Sequence, residues 1–386
     1  MTAQYSLFDI ELDQYEDDCE DPEYLTRQLI TYIGNKRALA GPLEQTITDV
    51  RIRLGGRKLR SLDLFSGSGF VARLLKSHSS LVAANDLEAY SRAVSECYLP
   101  DEEAHLMKRV AAHVNRLNSA AAGGASRQGF IRELYSPMDD QDILPGERVF
   151  YSNDNARRLD FFAQELQELS PEMRRLMLGP LLSKASVHAN TGGVFKGFYK
   201  DKRTGIGKFG AAAGNATTRI LAPIELEVPI LSRAKASHLV YQQDANRLAG
   251  TLVKDDFDLV YIDPPYNQHP YGSNYFMLNL LTNYAPPKDV SLVSGIPTNW
   301  NRSGYNVRKQ SLLLLADLFE SIPARFLLVS FNSEGFVNIA EMKQALLAHG
   351  RVDEVSLKYN AYRASRNLRG RDIHVTEHLV LLDREG

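Results

Sequence analysis

The chain has 386 residues, 44% of them apolar and 24% charged, which is length for two to three domains of about 150 residues and for a core that needs no disulfide or metal staple. Its two cysteines, Cys19 and Cys97, are far apart and form no CxxC; this argues against a disulfide scaffold and a structural zinc site, and the lack of a leader or of an apolar run near the roughly 20 residues of a membrane span predicts a soluble, cytoplasmic protein with no membrane partner. The net charge of -2 hides an asymmetry: residues 1–23 carry nine acids and no Lys or Arg, which leaves 38 acids against 45 bases, or +7, for the rest.

An acidic head with so little periodic apolar content reads as a disordered tail, residues 1–24, although a DNA-mimicking or partner-binding role suits the same composition. The basic remainder suggests a polyanionic partner. Residues 59–65 predict a strand, 70–75 an amphipathic helix, 81–86 a second strand and 89–98 a second helix. That alternation implies a parallel sheet covered by helices. The rhythm then lapses. Residues 118–129, rich in Ala, Gly and Ser, read as a flexible loop, with two helices to follow. The second of these starts on Ser170 as N-cap with Pro171 in the first helical position. Residues 192–214 combine seven glycines, five basic residues and four aromatics. Strand signals return at 238–244, 257–263 and 325–331, and two more near 352–362 and 374–383 predict an antiparallel pair at the sheet edge. The organisation this suggests is an α/β domain formed by 25–99 and 237–386, interrupted by a second domain at 100–236.

Chemistry is expected at the carboxyl ends of the strands, where open parallel sheets bind ligands. Asp63-Leu64-Phe65-Ser66-Gly67-Ser68-Gly69 places a glycine turn between strand and helix. Such a turn lets backbone amides approach a ligand, or is simply tight. Asp86 ends the second strand and could accept from ribose hydroxyls or cap a helix; Asp244 could hold an adenine amine or, again, cap a helix. Asp263-Pro264-Pro265-Tyr266 directly follows an apolar strand. Its two prolines stiffen the turn and remove two donors, so that a carboxylate and a carbonyl sit side by side, a pairing suited to a planar NH2 group, while Tyr266 offers a flat face to a ring.

These segments, in this order, resemble the Dam-like, alpha-class DNA adenine-N6 methyltransferases, close to the version found in FokI-type systems. Tyr32-Ile33-Gly34-Asn35-Lys36-Arg37 is similar to the family's N-terminal cofactor motif, Asp63 to Gly69 to its FxGxG motif and Asp263 to Tyr266 to its catalytic DPPY; Ser330-Phe331-Asn332 and Val375-Thr376-Glu377-His378-Leu379 are similar to later motifs. The resemblance covers about 30–95 and 190–384, and 100–190 matches nothing. It implies a Rossmann-like methyltransferase fold, α/β and mostly parallel with an antiparallel C-terminal edge, carrying an inserted target-recognition domain. It also implies S-adenosyl-L-methionine as methyl donor, S-adenosyl-L-homocysteine as product and no metal.

On that reading Asp263, Pro264, Pro265 and Tyr266 are catalytic, and Tyr32, Lys36, Asp63, Phe65, Gly67, Gly69, Asp86 and Asp244 bind the cofactor, with Lys36 near its carboxylate, Asp86 on its ribose and Asp244 on its adenine amine. Asn332 lines the base pocket or caps the core. Double-stranded DNA is the expected partner, its target adenine flipped out, together with a cognate restriction endonuclease encoded nearby. Lys196, Lys200, Lys202 and Arg203, on what reads as a mobile loop, and a second cluster of Lys358, Arg363, Arg366, Arg369 and Arg371 are the phosphate-binding candidates. Methylation of cytosine N4, RNA or a glutamine side chain stays open at this point, as does a DNA-binding subunit without turnover; Asp in place of Ser before Pro-Pro-Tyr favours adenine.

Overall fold

The computed structural model describes residues 20–211, 214, 216–332, 335–360 and 374–386. Seven strands, β1 (Leu59–Asp63), β2 (Ser79–Asp86), β3 (Ser237–Gln242), β4 (Leu259–Ile262), β5 (Phe326–Asn332), β6 (Arg351–Asn360) and β7 (His374–Asp383), build one sheet in the order β3-β2-β1-β4-β5-β7-β6. The first five run parallel, and β7 pairs antiparallel with both β5 and β6. The chain thus has the expected α/β architecture, mostly parallel with an antiparallel C-terminal edge. The terminal hairpin enters the sheet in reverse, its last strand wedged against β5.

Period-2 alternation sorts the strand residues onto two faces. Leu62, Ala83, Val260, Ile262, Leu327, Val329, Val380 and Leu382 join the core beneath the helices Ala245–Ala249, Arg308–Ser321 and Ile339–Leu347. Leu59, Val82, Ala84, Leu259, Tyr261, Phe326, Leu328 and Leu379 face the helices Ala40–Arg53 and Phe70–His78. All four residues of β4 and all seven of β5 are buried, as central parallel strands covered on both faces must be. The chain leaves β1 towards β2 on one side and reaches β4 on the other, so the crevice between them opens at the carboxyl ends of the strands.

The segment between β2 and β3 packs as helices Ala104–Ala122, Phe130–Tyr135, Asn153–Gln167 and Pro171–Val187. They share one apolar cluster with the helices Ala89–Tyr98 and Phe276–Asn283 of the sheet-bearing part. Three expectations need correction here. The supposed loop at 118–129 is helical through Ala122, because alanine is the best helix former and Leu117 and Ala121 face the core. Three helices, not two, follow it as far as Val187; Phe130–Tyr135 is held by the distant Asp160, whose carboxylate accepts from the amides of Ile131 (3.1 Å) and Arg132 (2.8 Å). And residues 20–24 are not part of a loose tail: Asp21 caps the helix Pro22–Thr26, and buried Tyr24 donates to the Tyr98 carbonyl at 2.8 Å. Ser170 does cap its helix, accepting from the Met173 amide.

The helix Pro171–Val187 crosses Ala89–Tyr98 at Gly179, where an added Cβ would lie 2.7 Å from Cys97 Sγ and 2.8 Å from Tyr98 Cε2. Neither neighbour can retreat, as both are buried. Gly179→Ala should therefore cost about 1–3 kcal/mol of stability by overpacking, read as a lower midpoint in thermal unfolding.

Candidate active site

At the carboxyl ends of β1 to β4 lies a cleft of about 680 Å³, open to solvent. Tyr32, Phe65, Asp86, Asp244, Asp263 and Pro265 line it. The structure thus gathers residues from five separate stretches of sequence around one cleft. The other candidates are not among its lining residues: Gly67 and Gly69 form the turn after β1, Asp63 and Lys36 are buried, and Pro264 and Tyr266 continue the turn from Asp263.

The glycine turn has the geometry that only glycine adopts freely. Gly67 has φ +49° and Gly69, which starts the helix Phe70–His78, has φ +74°. A Cβ on Gly67 would sit 2.9 Å from the Tyr32 ring. That ring packs against Tyr275, stacked at 4.8 Å, and Tyr271, stacked at 5.1 Å, which are themselves 6.0 Å apart. The Gly67 amide donates to Asp86 Oδ2 at 2.8 Å, and the Glu88 amide donates to Asp86 Oδ1 at 2.9 Å. Burial raises the Asp86 carboxyl above its usual range, while those two amides pull it back. Asp244 ends the strand-to-helix turn after β3 and accepts from the Arg247 amide at 3.1 Å.

Asp263 follows β4, and its side chain is 18% exposed. Lys36 Nζ lies 3.1 Å from Asp263 Oδ1 and 2.8 Å from Glu377 Oε1 on β7. The lysine expected beside a bound carboxylate therefore has two carboxylates of the protein itself within reach. Asp63, 1% exposed, has no hydrogen-bond partner of ordinary geometry on either carboxylate oxygen. Burial, then the nearby charges of Asp263 and Asp86, hold its carboxyl well above the usual range, with the amides of Ala72 and Phe65 opposing.

Several wall residues escaped the sequence reading. Glu88, 3% exposed, accepts from Asn279 Nδ2 at 2.6 Å and Asn301 Nδ2 at 3.2 Å, and burial pushes its carboxyl up to about 7. Tyr305 meets Phe65 edge-on at 5.3 Å and 88°, giving the wall an aromatic corner. The available signals were weak: Glu88 stands two residues after Asp86, and Tyr271 and Tyr275 have helical spacing.

The basic stretch after residue 192 is a tied hairpin rather than an unstructured loop. The Lys208 amide donates to the Tyr199 carbonyl at 2.9 Å, and Asn190 donates to the carbonyls of Val149 and Lys208 at 2.8 Å each. Its tip is shaped by Asp201, which accepts from the amides of Arg203 and Thr204 at 2.9 Å. Lys196, Lys200, Lys202 and Arg203 are exposed, and the Lys200 ammonium lies 4.9 Å from the Phe198 ring centroid. Phe195, at the root of this hairpin, donates its amide to the Asn274 carbonyl at 2.7 Å, two residues from Gly272 on the cleft wall. The second basic cluster, Arg363, Arg366, Arg369 and Arg371, lies outside the described residues, as does the side chain of Lys358. No described helix is long and apolar enough to cross a membrane.

Residues 32–332 match the D12 class N6 adenine-specific DNA methyltransferases. The chain is 26% identical to the type II methyltransferase M.NlaIII of Neisseria lactamica over 87% of its own length and 93% of that protein's. It is 24% identical to the type II methyltransferase M.CviAII of Paramecium bursaria Chlorella virus 1, over 92% of its own length and 99% of that protein's. The likeness to the FokI-type enzyme, expected to be close, is distant: 24% identity to M.FokI of Planomicrobium okeanokoites, covering 84% of this chain and 48% of that one. With a parallel sheet of this order, a glycine turn after β1 and Asp-Pro-Pro-Tyr after β4 all inside the matched span, the chain belongs to the D12 class of N6 adenine-specific DNA methyltransferases.

Proposed function

We propose that the chain takes the methyl group of S-adenosyl-L-methionine and places it on N6 of an adenine extruded from duplex DNA, releasing S-adenosyl-L-homocysteine, and that Asp263 to Tyr266 form the catalytic turn. The observation that carries this reading is the position of Asp263 and Pro265 on the same cleft wall as Asp86, Phe65 and Asp244.

The residues present fit such a donor. Asp63 is a buried acid whose oxygens have no hydrogen-bond partner of ordinary geometry among the described residues, suited to the donor's ammonium. Asp86 and Glu88 suit its ribose hydroxyls, the Phe65–Tyr305 corner its adenine and Asp244 its adenine amine. The donor, when bound, supplies an activated methyl on a sulfonium. Tyr32 closes the pocket over Gly67 and Gly69. Lys36 is read as the counter-ion of Asp263, because the residue is 4% exposed and its ammonium lies within reach of both that carboxylate and Glu377.

Adenine N6 is a poor nucleophile because its lone pair is delocalised into the ring. Asp263 and the Pro264 carbonyl accept its two hydrogens, drawing the nitrogen towards tetrahedral geometry and fixing the direction of its lone pair. The gain is orientation and electrostatics. The base must leave the duplex to reach the turn, and stacking on Tyr266 is worth about 1–3 kcal/mol.

Residues 100–236 are read as the target-recognition part, with Lys196, Lys200, Lys202 and Arg203, and with Arg363 and Arg366, on phosphates. Replacing Lys200, Lys202 and Arg203 together by alanine should flatten the slope of log affinity against log salt by about 2 to 3, since each phosphate contact contributes roughly 0.9; filter binding across a salt series measures it. The type II methyltransferase relatives support a restriction endonuclease with the same recognition site as a cellular counterpart. The function is tested by incubating the protein with labelled S-adenosyl-L-methionine and duplex DNA and then digesting the DNA. N6-methyladenine is the expected product; label confined to RNA or protein, or recovered as N4-methylcytosine, overturns the reading.

A further inference from the structure

Glu377 is 0% exposed in its side chain. It accepts from Lys36 Nζ at 2.8 Å, Ser330 Oγ at 2.6 Å and Asn332 Nδ2 at 3.2 Å. The same ammonium lies 3.1 Å from Asp263 Oδ1. Among the described residues the Lys36 ammonium lies within reach of both carboxylates, and a third buried acid, Asp63, stands near without an ion pair. A buried ion pair of this kind is a poor source of stability, since well-packed apolar side chains do as well. Its arrangement around Asp263 asks for another account.

We propose that Glu377 is a positioning residue for methyl transfer: by sharing the Lys36 ammonium with Asp263, it leaves the Asp263 carboxylate under-compensated and basic enough to take the proton that N6 sheds. The inference rests on the reading that Asp263 holds N6. The N6 nitrogen forms a bond to the methyl carbon, the carbon–sulfur bond breaks with its electron pair retained by sulfur, and the cationic N6 gives one proton to Asp263, which later passes it to water. Before the step Lys36, Asp263 and Glu377 together carry one net negative charge; with the proton on Asp263 they carry none.

Among the described residues, the groups facing Asp263 are Lys36 from the turn Lys36–Leu39, Glu377 from β7, Asp63 from β1, Tyr261 from β4 and Tyr271 from Tyr271–Asn274. Burial pushes the Asp263 carboxyl up to about 7, with Lys36 pulling down and Glu377 pushing further up. Burial also raises Glu377, but Lys36 and the bonds from Ser330 and Asn332 outweigh it and hold Glu377 below the usual range. Asp263 lines the cleft whereas the Glu377 side chain is sealed from solvent, so the proton enters at Asp263.

The test is the pH dependence of single-turnover methyl transfer by the full chain at saturating donor and duplex DNA. Glu377→Gln removes a negative charge, so Asp263 becomes less basic and the acid limb moves to lower pH, by about one pH unit for a neighbouring charge at this range. Lys36→Met moves it the other way. Glu377→Asp keeps the charge but withdraws it by one carbon and gives a smaller shift in the same direction as Glu377→Gln; it decides the matter if the glutamine variant does not fold in circular dichroism. A limb that stays in place in the Glu377 variants, with rates lowered equally at every pH, overturns the inference. Asp263→Asn separates the two ideas: if it is inactive while the limb is unmoved, only the role of Glu377 fails, whereas an active Asp263→Asn refutes the catalytic turn itself.

Discussion

Asp263→Asn is expected to lower methyl transfer by about 10³-fold or more, in line with the loss of one preorganised hydrogen-bonding group at a reacting centre, while donor binding stays near that of the unaltered protein. The amide is isosteric, and either way it turns it loses. With its NH2 group towards the cleft it presents donors to the two N6 hydrogens. With its oxygen towards the cleft, the NH2 group faces the Lys36 ammonium, which lies 3.1 Å from Asp263 Oδ1. Calorimetric titration with the donor and a tritium-transfer assay measure the two halves. The substitution also has a pH signature in stability. Asp263 has its carboxyl raised to about 7, above the roughly 3.9 of an unfolded chain. The stability it contributes is full below the unfolded value and is lost as pH rises through the folded one. The melting temperature of Asp263→Asn relative to the unaltered chain should therefore climb between about pH 4 and 7 in the ligand-free protein.

Gly67→Val is expected to raise KM for S-adenosyl-L-methionine by about 10- to 100-fold, because a β-branched residue at φ +49° costs about 1–2 kcal/mol before any contact is counted. The contact is severe, since the new Cβ would fall 2.9 Å from the Tyr32 ring. Tyr271 and Tyr275 are stacked against that ring and its hydroxyl is 3.2 Å from that of Tyr90, which leaves it to move only towards the cleft it lines. Either the ring swings into the cleft, or the turn yields, which pulls the Gly67 amide off Asp86 and frees one carboxylate oxygen on the cleft wall. Asp263 is reached from a different strand, so kcat at saturating donor should change much less than KM. Steady-state kinetics at varied donor concentration show the split.

What could be read from the chain alone was what is local. An apolar run ending in Asp-Pro-Pro-Tyr, a glycine turn after a strand, and acids at strand ends are each written in a few consecutive residues, and all fall where an open parallel sheet puts its ligand. The antiparallel C-terminal strands were also legible from their alternation, but their order was not: that β7 rather than β6 pairs with β5 depends on which strand best buries Leu379 to Leu382 between the two helical layers. The helix through Ala122 was misread because Ala, Ser and Gly compose loops as readily as helices, and only the burial of Leu117 and Ala121 decides. Phe130–Tyr135 has no cap of its own and borrows Asp160 from 28 residues away. Lys36 was found by motif, but its contact with Glu377 spans 341 residues, and no spacing rule reaches that far.

That span has a consequence for synthesis. A ribosome adds β7 after every other strand of the sheet, so until then β5 has an open edge, the kind that invites unwanted pairing, and Lys36 has Asp263 as its sole carboxylate of the two. Nascent chains halted before Glu377 should accordingly be poor substitutes for the finished enzyme even though their Asp-Pro-Pro-Tyr turn is already made, which would keep methylation from starting on half-translated protein.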